Sequence, residues 1–185
     1  IFRGGFDYLY DKVNLYDKLR GIQCHNVSAA QITNCWQTVD GIGSHMLNFL
    51  ENHDEQRFAS EQFAGNAQLV RPSLVVATTL STGPMMIYAG QELGEKADDA
   101  EGYSGRDGRT TIFDYWSIPT VRRWYNHGKC DYERLSTSEI ELREFYKRLF
   151  RIAVSEPAIR EGQFFDVMYV NYGKPHFDAH RQYAY

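Results

Sequence analysis

Two short apolar runs that stop abruptly at polar residues constrain this chain more than any other feature. Residues 46–50 end at Glu51-Asn52-His53-Asp54-Glu55, and residues 85–89 end at Gly90-Gln91-Glu92. Between them, residues 72–80 are almost wholly apolar and of helical length, with Pro72 tolerated in a first turn. Ser81-Thr82-Gly83-Pro84 then breaks the run. Apolar runs of strand length joined by a helix are the pattern of parallel strands covered on both faces.

The flanking segments extend the alternation. Residues 5–12 alternate apolar and polar and read as a short strand entering a loop. Residues 28–39 read as a helix capped by Ser28, with Ala29, Ile32, Trp36 and Val39 along one face. Strand and helix in turn argue an α/β layer, with polar residues gathered after the strands, where barrels place their chemistry. A full eightfold barrel takes about 250 residues, and three strand–helix units fit here. The expected fold class is therefore α/β, a partial (β/α)8 TIM barrel.

The carboxyl-terminal part changes character. Ser138 and Glu141 match a capping box, and Leu142, Phe145, Tyr146, Leu149, Ile152 and Ala153 follow at helical steps, with Pro157 beyond. After Gly162, residues 164–170 and 180–185 read as the first two antiparallel strands of an all-β module. The expected division is residues 1–160 as the barrel part and 161–185 as the start of the β domain. Residues 95–111 are too irregular for a regular element.

Composition excludes several classes. Twenty basic against 24 acidic residues give a net charge of −4, so no broad basic face exists to coat nucleic acid. No apolar run approaches the ~20 residues of a membrane-spanning helix. Cys24, Cys35 and Cys130 are odd in number and widely spaced, which argues against a disulfide framework or a zinc site. They read as core or surface thiols. The start at Ile1-Phe2-Arg3 and the aromatic end at Tyr183-Ala184-Tyr185 read as cuts from a longer chain.

Chemistry concentrates in Asn48-Phe49-Leu50-Glu51-Asn52-His53-Asp54-Glu55-Gln56-Arg57. An Asn, a His and an Asp at a strand end offer donors and acceptors within a few ångströms. Such a set suits gripping sugar hydroxyls, binding a metal or orienting a nucleophile. Spacing alone favours a plain polar loop whose Asp caps the next helix.

The wider motif set alters that balance. Phe49-Leu50-Glu51-Asn52-His53-Asp54 resembles the Phe-x-x-Asn-His-Asp signature that closes the seventh barrel strand in the α-amylase family of glycoside hydrolases. Gly83-Pro84-Met85-Met86-Ile87-Tyr88-Ala89-Gly90-Gln91-Glu92 resembles the eighth-strand pattern of that family. Gly5-Phe6-Asp7 looks like its sixth-strand region, and Arg109-Thr110-Thr111-Ile112-Phe113-Asp114-Tyr115-Trp116 is similar to the segment after strand eight. The four motifs follow the family order along essentially the whole chain.

The resemblance implies the last three β/α units of a retaining hydrolase acting on α-1,4-glucan. It makes Asp54 the third family carboxylate, which steadies the oxocarbenium-like transition state through the sugar hydroxyls. His53 and Asn52 become substrate-binding residues, His53 on the same sugar and Asn52 holding the turn or orienting Asp54. Strict strand alternation sets His53 opposite Asn52 and Asp54, so the strand has to end by about Asn52. The family nucleophile and acid, about 5 Å apart in retaining enzymes, match nothing here; the resemblance places both before Ile1 and makes the isolated chain inactive.

Alternatives within the family are an α-glucosidase or a transglycosylase. Outside it stand a non-catalytic sugar-binding relative and a metal-dependent barrel hydrolase using His53 and Asp54, the latter short of companion histidines. No cofactor is expected within the chain, and no metal site; calcium is possible in the parent protein. Asp98, Asp99, Glu101 and Asp107 read first as a solvated acidic loop. Tyr8, Tyr10, Tyr103 and Trp116 suit either sugar stacking or packing. Glu92, Asp7 and Asp11 read as structural. The expected partner is α-glucan, with no nucleic acid and no membrane span, and the family points to secretion or the periplasm.

Three strands of a barrel leave two unpaired edges, a template for pairing with another chain. Light scattering is expected to give a mass above the 21.5 kDa of one chain; a monodisperse monomer would contradict edge pairing.

Overall fold

The computed structural model describes residues 4–99, 105–113 and 118–185. In chain order its strands are β1 (Leu9–Tyr10), β2 (Met46–Phe49) and β3 (Met85–Met86). Its α-helices are α1 (Asp17–Cys24), α2 (Ile32–Thr38), α3 (Val70–Thr79), α4 (Pro119–Tyr125), α5 (Thr137–Ser155), α6 (Pro157–Arg160) and α7 (Met168–Asn171). Two compact units form, one from Ile1–Phe49, Val75–Met86 and Ala153–Tyr185, the other from Leu50–Leu74 and Ile87–Ile152. Among the described residues, no helix is long and apolar enough to cross a membrane.

The first unit holds a parallel sheet in the order β1-β2-β3. Leu9 lies opposite Met46, and Asn48 opposite Met85. Phe49 stacks on Tyr16 at 4.9 Å and meets Tyr10 edge-on at 5.2 Å, contacts of roughly 0.5–1.5 kcal/mol each beyond area burial. Asn48 is buried on the central strand and donates through Nδ2 to Ala77 O of α3 at 3.0 Å. The loop before β3 crosses β2 closely: a Cβ on Gly83 would lie 2.4 Å from Met46 O.

Side chains cut the strands short. Asp11 N continues the ladder to Leu47 O at 3.0 Å. Its buried carboxylate then accepts Leu15 N at 2.8 Å and Asn14 Nδ2 at 3.2 Å, turning the chain into the π-helical turn Lys12–Tyr16 and α1. Ser28 caps the segment leading into α2, accepting Ala30 N at 3.3 Å.

The expected fold class, a partial (β/α)8 TIM barrel followed by the start of an all-β domain, is overturned. The sheet has three short strands, with β1 and β3 two residues each, and no barrel is evident among the described residues. Strand β3 stops at Met86 because a turn takes the backbone groups that further pairing needs: Gln91 N donates to Tyr88 O at 2.9 Å and Tyr88 N to Gln91 Oε1 at 3.3 Å. Gly90 supplies the left-handed φ of +88° within that turn.

Residues 161–185 form no strand among the described residues. Asp166 interrupts the apolar run: its Oδ1 accepts Met168 N at 2.8 Å, an Asx turn that opens α7. Its Oδ2 accepts Thr33 Oγ1 at 2.5 Å, Trp36 Nε1 at 3.0 Å and the Tyr183 hydroxyl at 2.9 Å. The tail's carbonyls at His180 and Ala179 accept the amides of Ala29 and Ala30 at 2.8 and 3.2 Å, satisfying donors that a helix start leaves open. A carboxylate hub and a backbone cap have taken the place of a β ladder.

The second unit carries α4 and most of α5. Its capping box is Ser136 with Glu139: Glu139 Oε2 accepts Ser136 N at 2.7 Å, and Glu139 N donates to Ser136 Oγ at 3.3 Å. The expected pair Ser138 and Glu141 does not form, because the helix already begins at Thr137 and Ser138 Oγ accepts Gln68 Nε2 at 2.9 Å. Leu142, Tyr146 and Leu149 are buried as a helical face requires, while Ile152 is exposed.

Burial alone would raise the Asp166 carboxyl, but the bonds from Thr33, Trp36, Met168 N and Tyr183 outweigh it and hold it below the usual carboxylate range. A depressed folded-state pKa stabilises the fold above the unfolded value of about 3.9 and ceases to do so as pH falls through the folded value. Asp166→Asn is expected to cost about 1–2 kcal/mol at pH 6, the low end for charged hydrogen bonds because the group is half-buried. In urea titrations that difference should shrink at pH 3; a pH-independent difference would contradict the hub.

Candidate functional site

The turn after β2 is built on a buried ion pair. Leu50 and Glu51 are each 1% exposed and Arg57 is 0% exposed. Arg57 Nη1 donates to Glu51 Oε2 at 2.8 Å, Nη2 to Ala89 O at 2.8 Å and Nε to Thr110 Oγ1 at 2.9 Å. The guanidinium also lies 4.3 Å from the Tyr88 ring centroid. The second Glu51 oxygen accepts Phe58 N at 2.9 Å. Burial pushes the Glu51 carboxyl up, and Arg57 and the Phe58 amide pull it back. The pair ties residues 51–58 to two other stretches of the unit, with Arg57 N donating to Gly108 O at 2.6 Å.

Asn52 shapes the loop between these anchors. It is 8% exposed, and its Oδ1 accepts the amides of Asp54 and Glu55, both at 2.9 Å. Such an Asx turn replaces strand geometry with a tight reversal. Strand β2 has already ended at Phe49, so pleat alternation no longer sends His53 and Asp54 to opposite faces. His53 Nε2 lies 3.4 Å from Asp54 Oδ2, with side-chain exposures of 38% and 69%. Of the three expected site residues, the fold thus brings His53 and Asp54 together and uses Asn52 to hold the turn.

This arrangement offers a solvent-facing carboxylate beside an imidazole. The carboxylate accepts up to four hydrogen bonds, and the imidazole contributes a donor or an acceptor according to its tautomer. Hydrogen bonding to adjacent hydroxyls of one ligand is within its reach. Glu51, the carboxylate before the turn, is enclosed and paired with Arg57 rather than facing this group.

The remaining candidates divide by unit. In the first, Asp11 is the buried cap described above, Asp7 is exposed, and Tyr8 and Tyr10 are 55% and 53% exposed. Tyr10 donates to Met86 Sδ at 3.4 Å. Cys35 is buried, which pushes its thiol up to about 11 and leaves it an inert core group; Cys24 is half-buried and Cys130 exposed. In the second, Glu92 pairs with Arg143 at 3.2 Å, and Asp107 Oδ1 accepts Arg109 N at 3.0 Å. Asp98 and Asp99 are exposed, whereas Glu101, Tyr103 and Trp116 lie outside the described residues. Among the described residues, no cluster of three or more His, Cys, Asp or Glu side chains is arranged to hold a metal ion.

Sequence reasoning missed the Glu51–Arg57 anchor and also Glu95, which is buried and accepts Lys96 N, Ala97 N, Thr120 N and Thr120 Oγ1 at 2.9, 3.0, 3.1 and 2.5 Å. The available signal for Glu51 was a charge set directly against an apolar run, with an opposite charge at Arg57. The chain matches no protein-family model, no curated protein and no solved structure. A functional reading therefore stands on the residues themselves.

Removing one partner of a buried pair strands the other charge, at a cost of about 3–5 kcal/mol. Glu51→Ala is expected to lower the unfolding free energy by about that amount in urea titration. A loss below about 1 kcal/mol would show that Arg57 needs no counter-charge.

Proposed function

We propose that the Asn52–His53–Asp54 turn is the hydroxyl-gripping part of a retaining, α-amylase-type glycoside hydrolase acting on α-1,4-glucan, and that this chain alone binds the sugar without cleaving it. The observation that carries the reading is the exposed Asp54 carboxylate held beside His53 at 3.4 Å by a turn that Asn52 closes. Four family-like motifs in family order support the same substrate class.

In this reading Asp54 accepts hydrogen bonds from two neighbouring hydroxyls of one glucosyl ring. Those bonds strengthen as positive charge develops at the ring, which is how a carboxylate that never touches the scissile bond lowers a barrier. His53 steadies the same ring, and Asn52 keeps both side chains on one side of the turn. Cleavage further requires a nucleophile and an acid about 5 Å apart, roles assigned to residues of the parent protein. A sugar-binding relative without catalysis is the second reading, favoured by the commitment of Glu51, the carboxylate nearest in sequence before the turn, to Arg57.

Maltoheptaose titration by calorimetry tests the proposal. The chain is expected to bind saturably, Asp54→Ala to weaken binding about tenfold or more through loss of charged hydrogen bonds, and His53→Ala to weaken it less. Incubation with starch should release no reducing sugar. Unchanged affinity in Asp54→Ala would remove the basis of the assignment, and reducing-sugar release by the chain would overturn the division of roles.

A further inference from the structure

A concave feature away from the Asn52 turn in sequence lies in the unit formed by Leu50–Leu74 and Ile87–Ile152. It is a groove of about 400 Å³ lined by Pro119, Arg122, Arg123, Tyr125, His127 and Arg134, a size within the range of small-ligand sites. We propose that this groove binds a phosphate-bearing small molecule, independently of the sugar reading.

The charge on its walls is one-sided. Three arginines and a histidine line it, and no carboxylate is among the lining residues, although the chain as a whole carries a net charge of −4. Arg123 is the neutralised member, bridged to Glu139. The side chains of Arg122 and His127 hydrogen-bond to none of the described residues. The neighbouring acids are engaged elsewhere: Asp131 Oδ1 and Glu133 Oε2 accept Asn126 Nδ2 at 2.9 and 3.1 Å, and Glu133 also takes Lys129 at 2.7 Å. Asp131 feels the Arg134 charge as well, but its carboxylate is held by Asn126.

The groove is also preformed. Asn126 is 2% exposed, and its two side-chain bonds fix a loop in which Asn126, His127 and Cys130 hold left-handed φ values of 42°, 56° and 52°. That conformation is uncommon outside glycine, although Asn and His adopt it more readily than most, and the Asn126 bonds hold the loop that brings His127 to the same groove as Arg122 of α4 and Arg134. A single carboxylate would be satisfied by one guanidinium fork. Two guanidiniums from different elements, with an imidazole beside them, match an anion with several oxygens and more than one charge, as in a phosphate monoester or diphosphate. Tyr125 and Pro119 give the organic part of such a ligand an apolar wall. The acidic balance of the chain disfavours nucleic acid as the source of the phosphate.

Calorimetric titration with inorganic pyrophosphate at about 0.15 M salt, where surface charge is screened, tests the site. Binding is expected to be saturable with one site per chain, and Arg122→Ala/Arg134→Ala to weaken it at least about tenfold. Both residues are exposed, and an unchanged circular dichroism spectrum confirms that the variant folds. Lys174→Ala/Arg181→Ala, which removes two exposed cations elsewhere, should bind as the parent chain does, and malonate should bind far more weakly than pyrophosphate. Absence of saturable binding, an unaffected double arginine variant, equal loss in the control variant, or malonate as strong as pyrophosphate would each overturn the proposal.

Discussion

A guanidinium with no exposed surface is the constraint on which the turn after β2 depends. Arg57 cannot leave its surroundings without giving up Thr110 and Ala89 and stranding the Glu51 charge, and an unpaired buried charge costs several kcal/mol. The stretch between Glu51 and Arg57 is therefore closed at both ends. Within it, the Asn52 side chain takes the amides of Asp54 and Glu55, leaving His53 and Asp54 to face solvent. The backbone beneath this polar pair is set by the part-buried Asn52 bonds and, below them, by the buried Glu51–Arg57 bonds.

The same device recurs throughout the chain. Asp11, Asn52, Glu95 and Asp166 each direct a side-chain oxygen at backbone amides within a few residues. Side chains of this kind compete with ladder hydrogen bonds and end strands early. In the first unit this leaves a three-stranded sheet of two, four and two residues, stabilised by the aromatic contacts of Phe49 and the strand-to-helix bond of Asn48. The tail contributes through Asp166 and through carbonyls that cap the approach to α2.

Much of the local structure was legible in the residues. The apolar stop at residues 46–50, the helical run near residues 72–80 and the Ser28 cap correspond to β2, α3 and the entry to α2. Their signals are local, set by periodicity and one capping side chain. The fold class was not legible, because alternation of strand and helix does not say how long each strand remains paired. That depended on Gln91 engaging Tyr88 and on Asp166 drawing in Thr33, Trp36 and Tyr183 from positions far away in the chain. Ser136 and Ser138 both fit a capping box in sequence, and only in the folded unit does Gln68, far away in the chain, engage Ser138 while Ser136 pairs with Glu139. At the site, the order of Asn52, His53 and Asp54 was legible but their arrangement depended on the strand ending before them, and the anchor beneath them needed Arg57 to find Ala89 and Thr110 in space.

In the proposed function, the Asn52 turn offers Asp54 and His53 to the hydroxyls of a glucan. The most direct measurement is a two-dimensional amide NMR spectrum of the chain titrated with maltoheptaose. If the proposed function holds, the amides of His53, Asp54 and Glu55 shift saturably and together, because Asn52 Oδ1 ties two of them into the turn that carries the His53 and Asp54 side chains. Saturable shifts confined to other residues, with these three unmoved, would contradict it.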